Sequence, residues 1–203
     1  MKHTPILAMA ASALVLAACS APEPETDAEA ITVARDCNTP DGAAILQVER
    51  PDSAGDAAAN AEASEAYLAA VREERCVYEL DSGLMFRIRD AVNNEDAISP
   101  QSGDRVTVHY RGLFPYGDEF DSSYARGEPM TFRSDRLIAG WVEALPMMRT
   151  GERWELYIPA DLAYGARGTP GGPIGPDQAL VFELELLDVP DRSAAAEAAD
   201  STH

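Results

Sequence analysis

The chain has 203 residues, 46% of them hydrophobic, which is enough for one ordinary domain with extensions and too little for a protein that spans a membrane many times. Its formal net charge of −19, from 35 acidic and 16 basic side chains, argues against nucleic-acid binding, which needs a basic surface to displace counterions from phosphates. Solubility through self-repulsion is the plainer consequence of that charge.

Lys2 precedes an apolar run from Ile6 to Ala18, too short to cross a membrane but suited to the core of a signal peptide, so residues 1–18 are expected to be removed. The run ends in Leu16-Ala17-Ala18-Cys19, which resembles the lipobox of bacterial lipoproteins. That resemblance implies a diacylglycerol on Cys19 and cleavage ahead of it, whereas small residues alone would signal ordinary secretion. Acyl chains anchor with about 0.8 kcal/mol per buried methylene, so the expected place is the bacterial cell envelope. Ser20 after the cysteine favours the outer membrane, facing the periplasm, by the sorting habit of Gram-negative lipoproteins.

Residues 19–55 read as an acidic tether followed by an unassigned segment. Ser20 to Thr32 is rich in Ala, Pro, Glu, Thr and Asp with no apolar period, which predicts disorder. Ile45-Leu46-Gln47-Val48 has the makings of a short strand, but Pro51 and Gly55 leave Asp36 to Gly55 without a clear element. Asp56 to Arg75 predicts a helix: it is Ala-rich and free of Pro and Gly, with Asp56 as cap and Ala61, Leu68 and Val71 as an apolar stripe. Packing against its own domain is favoured over a dimerisation arm. Cys37 and Cys76 bracket this helix in a chain addressed to an oxidising compartment, so a disulfide between them is expected, with two free buried thiols as the alternative. No histidine or further cysteine lies at metal-ligand spacing.

The helix and leading strands occupy 56–100, the main domain 101–190, and a disordered tail 191–203. Asp81-Ser82-Gly83 is a turn signal, after which Leu84, Phe86 and Ile88 alternate with Met85, Arg87 and Arg89 as a half-buried strand. Val106, Val108 and Tyr110 face the core of the next strand and turn Thr107 and His109 outward. His109 lacks a nucleophile at motif spacing, so it reads as a solvent-facing strand residue rather than a general base. Gly117-Asp118 supplies a hairpin turn. Phe120 and Asp121 would face opposite ways on a regular strand, so sharing one pocket requires a bulge or strand end near Asp121.

Met130 and Phe132 alternate as a strand. Ser134 or Asp135 is expected to cap a short helix with Leu137, Ile138, Trp141 and Leu145 on one face, stopped by Pro146. Two last strands place Trp154, Leu156 and Ile158, then Leu180, Phe182, Leu184 and Leu186, inward against Glu183 and Glu185. The fold class is α+β: a curved antiparallel sheet, or half-barrel, wrapped on one short helix and preceded by an N-terminal helix. The glycine- and proline-rich loop from Tyr164 to Pro176 lacks the Gly-Lys-Ser/Thr ending that holds a nucleotide phosphate, and a structured flap over a pocket suits it better.

Five stretches recur in a known order: Val108-His109-Tyr110-Arg111-Gly112, Phe120-Asp121-Ser122-Ser123, Leu137-Ile138-Ala139-Gly140-Trp141, Ala163-Tyr164-Gly165 and Leu180-Val181-Phe182-Glu183-Leu184-Glu185-Leu186. Together they closely resemble FKBP-type peptidyl-prolyl cis-trans isomerases, and Gly140 to Pro176 looks most like the macrophage infectivity potentiator class. The resemblance implies Trp141 as a pocket floor, with Tyr110, Phe120, Met130, Phe132, Leu137, Ile138, Tyr164 and Phe182 as walls. It implies hydrogen-bond donation to substrate by the Tyr164 hydroxyl and the Ile138 amide. It sets Asp121 beside the reacting carbonyl, paired with Arg126, and leaves two roles for it: electrostatic help to the twisting bond, or support of Tyr110 and Arg126. The catalytic set is then Tyr110, Phe120, Asp121 and Tyr164. Met130 departs from a frequent aromatic, and the flap after Gly168 lacks an aromatic or histidine tip. The implied partners are proline-containing polypeptides among exported proteins, with macrolide-type inhibitors as ligands and no metal or organic cofactor. A degenerate binding module that holds proline segments without turnover is the other reading.

Overall fold

A computed structural model of the chain describes residue 24 and residues 26–37, 44–50 and 56–193. The signal peptide expected over 1–18, Cys19 and the tail beyond residue 193 lie outside the described residues. Among the described residues no helix is long and apolar enough to cross a membrane.

The apolar runs pair into one open, wholly antiparallel sheet. Its strands are β1 (Tyr78–Glu79), β2 (Met85–Asp90), β3 (Arg105–Leu113), β4 (Glu119–Ser122), β5 (Met130–Arg133), β6 (Arg153–Ile158) and β7 (Leu180–Asp188). The order across the sheet is β1-β2-β6-β7-β3-β4, with β5 also on β3. β3 pairs with β7 along one edge, and its other edge is divided: Arg105 to Val108 faces β5, and Arg111 to Leu113 faces β4.

Helix α1 (Asp27–Asp36) and helix α2 (Ala57–Arg72) precede the sheet; α3 (Ser123–Arg126) follows β4 and α4 (Ala139–Ala144) follows β5. α4 starts one residue after Ile138, which caps it without a side-chain hydrogen bond. The expected caps are used elsewhere: Ser134 Oγ accepts from the Gly103 amide and donates to the Gln101 carbonyl, and Asp135 pairs with Arg133. Leu137 and Ile138 therefore lead into the helix instead of lying on its face. Pro146 does end the α-helix, and the chain continues as a 3-10 turn through Met147.

Both faces of the sheet are covered, which the alternating patterns did not anticipate. The front holds Phe86, Ile88, Val106, Val108, Trp154, Leu156, Ile158, Leu180, Leu184 and Leu186 against Trp141, Ala144 and Leu145. Behind it, Tyr67 and Val71 of α2 pack on Met85, Leu113, Tyr157 and Val181. Fully burying an aliphatic side chain is worth about 1.5–3 kcal/mol, so the second cluster is a substantial part of the fold. Its buried face is Asn60, Ser64, Tyr67 and Val71; of the expected Ala61–Leu68–Val71 stripe Val71 is buried and Leu68 packs partly buried beside it, while Ala61 is exposed, and two polar residues turn inward to bond the loop before β7. Asn60 Nδ2 donates to the Pro176 carbonyl at 2.8 Å, and Ser64 Oγ donates to the Asp177 carbonyl while accepting from the Ala179 amide. Residues 44–50 form no strand but run over the Tyr67 hydroxyl, which donates to the Leu46 carbonyl.

That cover buries charge. Arg87 and Glu155 are 2% and 0% exposed. Glu155 accepts from Arg89 at 2.7 Å and from the Tyr157 hydroxyl at 2.7 Å, and lies 3.4 Å from Arg87. Burial first, then the Glu155 charge, pushes the Tyr157 hydroxyl far above its ordinary range, so it remains a donor.

The acidic tether is partly helical. Thr26 caps α1 by accepting from the Glu29 amide, and Ala30 and Ala34 enter the front core. Composition hid this because alanine reads as neutral until a surface meets it. Arg35 donates to Glu152 at 2.8 Å and to the Met147 carbonyl at 2.8 Å, while Glu152, 0% exposed, also accepts from the Trp154 indole. A Cys37–Cys76 disulfide follows, closing a sequence separation of 39. A loop of that size gives about 3–4 kcal/mol on the chain-entropy account. At the other terminus, residues 191–193 are helical rather than disordered, held by Arg105–Asp191 and Arg192–Asp104 ion pairs.

Arg35→Ala leaves a buried carboxylate without its cation, and breaking such a pair costs about 3–5 kcal/mol, with the low end expected because Glu152 keeps two N–H donors. Urea unfolding of the oxidised protein checks it; a loss below about 1 kcal/mol, the range of exposed pairs, contradicts the burial argument.

Candidate functional site

The site grows from a close approach. Gly140 is the second residue of α4, and a Cβ there would stand 2.8 Å from Ile158 Cγ2, so glycine lets the helix settle onto β6. This seats Trp141, 4% exposed, at the centre of the front face. Its ring meets Tyr110, Phe132 and Phe182 edge-on, with centroids 5.4, 6.3 and 5.1 Å away. Phe120 in turn meets Phe182 at 88°. Gly112 makes room for both phenylalanines, because a Cβ there would lie 2.6 Å from the Phe120 ring and 2.9 Å from that of Phe182. The result is a cavity of about 560 Å³.

Strands supply Tyr110, Phe120, Asp121, Phe132 and Phe182 to this cavity; the approach to α4 supplies Leu137 and Ile138, and α4 itself Trp141; Tyr164 comes from the loop after β6. Met130 does not line it and packs partly buried against the front core instead. Arg126 lies outside too and acts on the cavity through its partners. Three lining residues went unnoticed in the sequence: Arg136, Ala139 and Ala163. The alanines lie inside the quoted motifs, where a small side chain carries no signal of its own; Arg136 sits one position before one.

A bulge explains how Phe120 and Asp121 reach the same space. Gly112 opposes Asp121, yet Leu113 opposes Glu119, so Phe120 is the extra residue in β4. Immediately after, Ser122 caps α3 by accepting from the Ala125 amide, and Gly127 ends that turn with φ 79°, returning Arg126 over the Tyr110 ring. Arg126 pairs with Asp121 and donates to the Tyr110 hydroxyl at 2.8 Å; the same hydroxyl donates to Asp121 at 2.6 Å. Burial alone would raise the Asp121 carboxyl, but hydrogen bonds from Tyr110 and Arg126 outweigh it and hold the group below the usual carboxylate range. Tyr110 is pushed up by burial and by its bond to Asp121, and Tyr164 by burial and the Asp121 charge.

Several donors of the cavity lining are unspent, among them the buried Trp141 indole N–H. The Tyr164 hydroxyl, on a side chain 40% exposed, and the Ile138 amide have no hydrogen-bond partner among the described residues. The loop that carries Tyr164 is braced: the Asp177 amide donates to the Gly165 carbonyl, Thr169 and Ile174 bond across its middle, and Ile174 is buried.

His109 is not simply solvent-facing. It stacks on Tyr124 at 4.5 Å, and its Nδ1 lies 2.9 Å from Ser123 Oγ. This Ser–His pair offers no nucleophile, because Ser123 is 0% exposed and its hydroxyl bonds the Tyr110 backbone at both the amide and the carbonyl.

Residues 96–187 match the family described as FKBP-type peptidyl-prolyl cis-trans isomerase. The chain is 45% identical over 130 residues to peptidyl-prolyl cis-trans isomerase Mip of Coxiella burnetii, covering 64% of this chain and 55% of that one. It is 42% identical over 125 residues to a Legionella longbeachae protein named outer membrane protein MIP, covering 62% and 52%. The chain thus spans a little over half the length of these curated relatives. A crystal structure of a peptidyl-prolyl cis-trans isomerase from Pseudomonas syringae pv. tomato superposes with a TM-score of 0.58 at 37% identity, over 66% of this chain and 95% of that one.

Removing the Tyr110 hydroxyl takes away a donor to the ionised carboxylate, so Tyr110→Phe should move the Asp121 titration upward. Carboxyl carbon shifts followed by NMR against pH read this directly, and an unmoved or lowered Asp121 would show that the Arg126 pairing suffices alone.

Proposed function

Because the chain belongs to the FKBP-type peptidyl-prolyl cis-trans isomerase family, we propose that it interconverts cis and trans X-Pro peptide bonds in the aromatic cavity above Trp141. The observation that carries this reading is an aromatic-walled cavity at which the Tyr164 hydroxyl and the Ile138 amide are unspent, with no accessible nucleophile paired to a base among the described residues. Rotation about a peptide bond faces a barrier of about 18–20 kcal/mol set by amide resonance, and no covalent bond needs to break. A planar amide is more dipolar than a twisted one. Moving it from water to the rings of Trp141, Tyr110, Phe132 and Phe182 therefore costs the ground state more than the transition state.

Lowering the barrier a thousandfold takes about 4 kcal/mol. The Tyr164 hydroxyl and the Ile138 amide hold the flanking carbonyls, each bond netting about 1 kcal/mol, and desolvation supplies the remainder. Asp121 works by position: it fixes the Tyr110 wall, and Arg126 neutralises its charge.

The proposal extends to place. Leu16-Ala17-Ala18-Cys19 supports a lipid anchor at Cys19, and the name of the Legionella longbeachae relative supports the outer membrane, where a tethered isomerase would assist exported proteins. Cys19→Ser should then move the protein from the detergent phase to the aqueous phase on temperature-induced phase separation; retention in the detergent phase speaks against the anchor.

The soluble fragment from Ser20 is expected to accelerate isomerisation of a Leu-Pro peptide at micromolar concentration, and absence of acceleration would defeat the reading. Its pH profile should be flat between about pH 5 and 9. Asp121, lowered from its ordinary value, loses its charge only well below that window, while Tyr110 and Tyr164, raised from theirs, stay protonated above it. A step near neutrality would point to a titrating group outside this set.

A further inference from the structure

We propose that Arg136 selects client segments carrying an acidic side chain next to the proline. The inference rests on the isomerase reading of the cavity and adds a charge preference to it. Arg136 sits in the turn before α4, where its amide donates to the Arg133 carbonyl at 3.1 Å. That turn leaves the side chain exposed on the cavity lining.

Most arginines of this acidic chain are engaged: Arg87 and Arg89 with Glu155, Arg111 with Glu183, Arg153 with Asp90, Arg192 with Asp104. Among the described residues Arg75, Arg136, Arg149 and Arg167 form no ion pair, and of these four Arg136 alone lines the cavity. Its neighbour Asp135 is already held by both ends of the Arg133 guanidinium, at 3.1 and 3.0 Å. Arg136 reaches Asp135 only through its field, a minor cause of that carboxyl's lowered pKa after the Arg133 hydrogen bond.

The cavity lining contains two charged residues, Asp121 and Arg136. Asp121 is neutralised by Arg126, so Arg136 is the charge of the lining without an ion-pair partner, available to a peptide held in the cavity. A guanidinium is a planar, weakly hydrated fork that suits a carboxylate, and it repels Lys or Arg in the same place. The overall charge of −19 acts the other way, attracting basic peptides at long range. Local pairing and net charge therefore predict opposite preferences.

The test uses the full chain in detergent solution at about 0.15 M salt, where the Debye length is short and the long-range term is weak. Peptides with Glu, Gln or Lys immediately before proline, and a second set with these residues immediately after it, are compared by kcat/KM and by affinity read from tryptophan fluorescence. The expected result, on one of the two sides, is a Glu-over-Gln preference of about two- to five-fold, the span of exposed ion pairs. It should vanish in Arg136→Gln and invert in Arg136→Glu. Glu no better than Gln on either side, or a Glu preference that survives Arg136→Gln, overturns the proposal. Preferential binding of Glu peptides without acceleration of any peptide upholds the selectivity and defeats the isomerase reading. Acceleration without preference does the reverse.

Discussion

Strand β3 has only two edges, and three strands pair with it. β7 takes one edge from Thr107 to Leu113, β4 and β5 share the other in succession, and the chain between them leaves the sheet. It leaves after Ser122, two residues past the β4 bulge, passes through the four residues of α3, and re-enters at Met130. The excursion places Asp121 and Arg126 beside Tyr110, which stands on β3 at the junction between its two short partners. The polar network of the cavity is thus a consequence of edge pairing: a longer β4 would consume the backbone groups that α3 uses, and a regular one would turn Phe120 away.

The second constraint is that the sheet is dry on both sides. α4 can press Trp141 into the front because α2 backs the same strands from behind, and a floor supported on both faces moves little. The extension also holds the site from a distance. Asn60 and Ser64 of α2 bond the backbone at Pro176, Asp177 and Ala179, the point where the loop carrying Tyr164 rejoins the sheet. α1 secures the other end of the extension through Arg35–Glu152 and the disulfide from Cys37 to Cys76. Buried polar groups of this kind specify one docking geometry, since each is costly unless its partner is met.

The proposed isomerisation asks for little apparatus: exclusion of water and oriented donors, with no group that titrates near neutrality among the cavity's tyrosines and Asp121. The ion pair of Asp121 with Arg126 takes a charge out of play and leaves Arg136 as the charge among the lining residues that forms no ion pair, the premise of the proposed charge preference.

Much of the front of the molecule was legible in the chain itself. Period-two runs marked β2, β3, β6 and β7, and the motifs around Tyr110, Phe120, Trp141, Tyr164 and Phe182 named residues that do meet in one cavity, because strand alternation and glycine spacing are local properties. The need for a bulge at Phe120–Asp121 was also readable, as two neighbours cannot share a face of a regular strand. What escaped depended on surfaces that do not exist until the chain is folded. Alanines became core in α1 only against the sheet; Asn60, Ser64, Arg87 and Glu155 became interior only once α2 covered the back; Met130 dropped out of the cavity because partial burial in the core was open to it. Sequence alone determined which side chains were available to build an apolar pocket with orienting donors. Tertiary structure decided which charges were spent on one another and which, Arg136, was left over, since pairing depends on distances that no local pattern encodes.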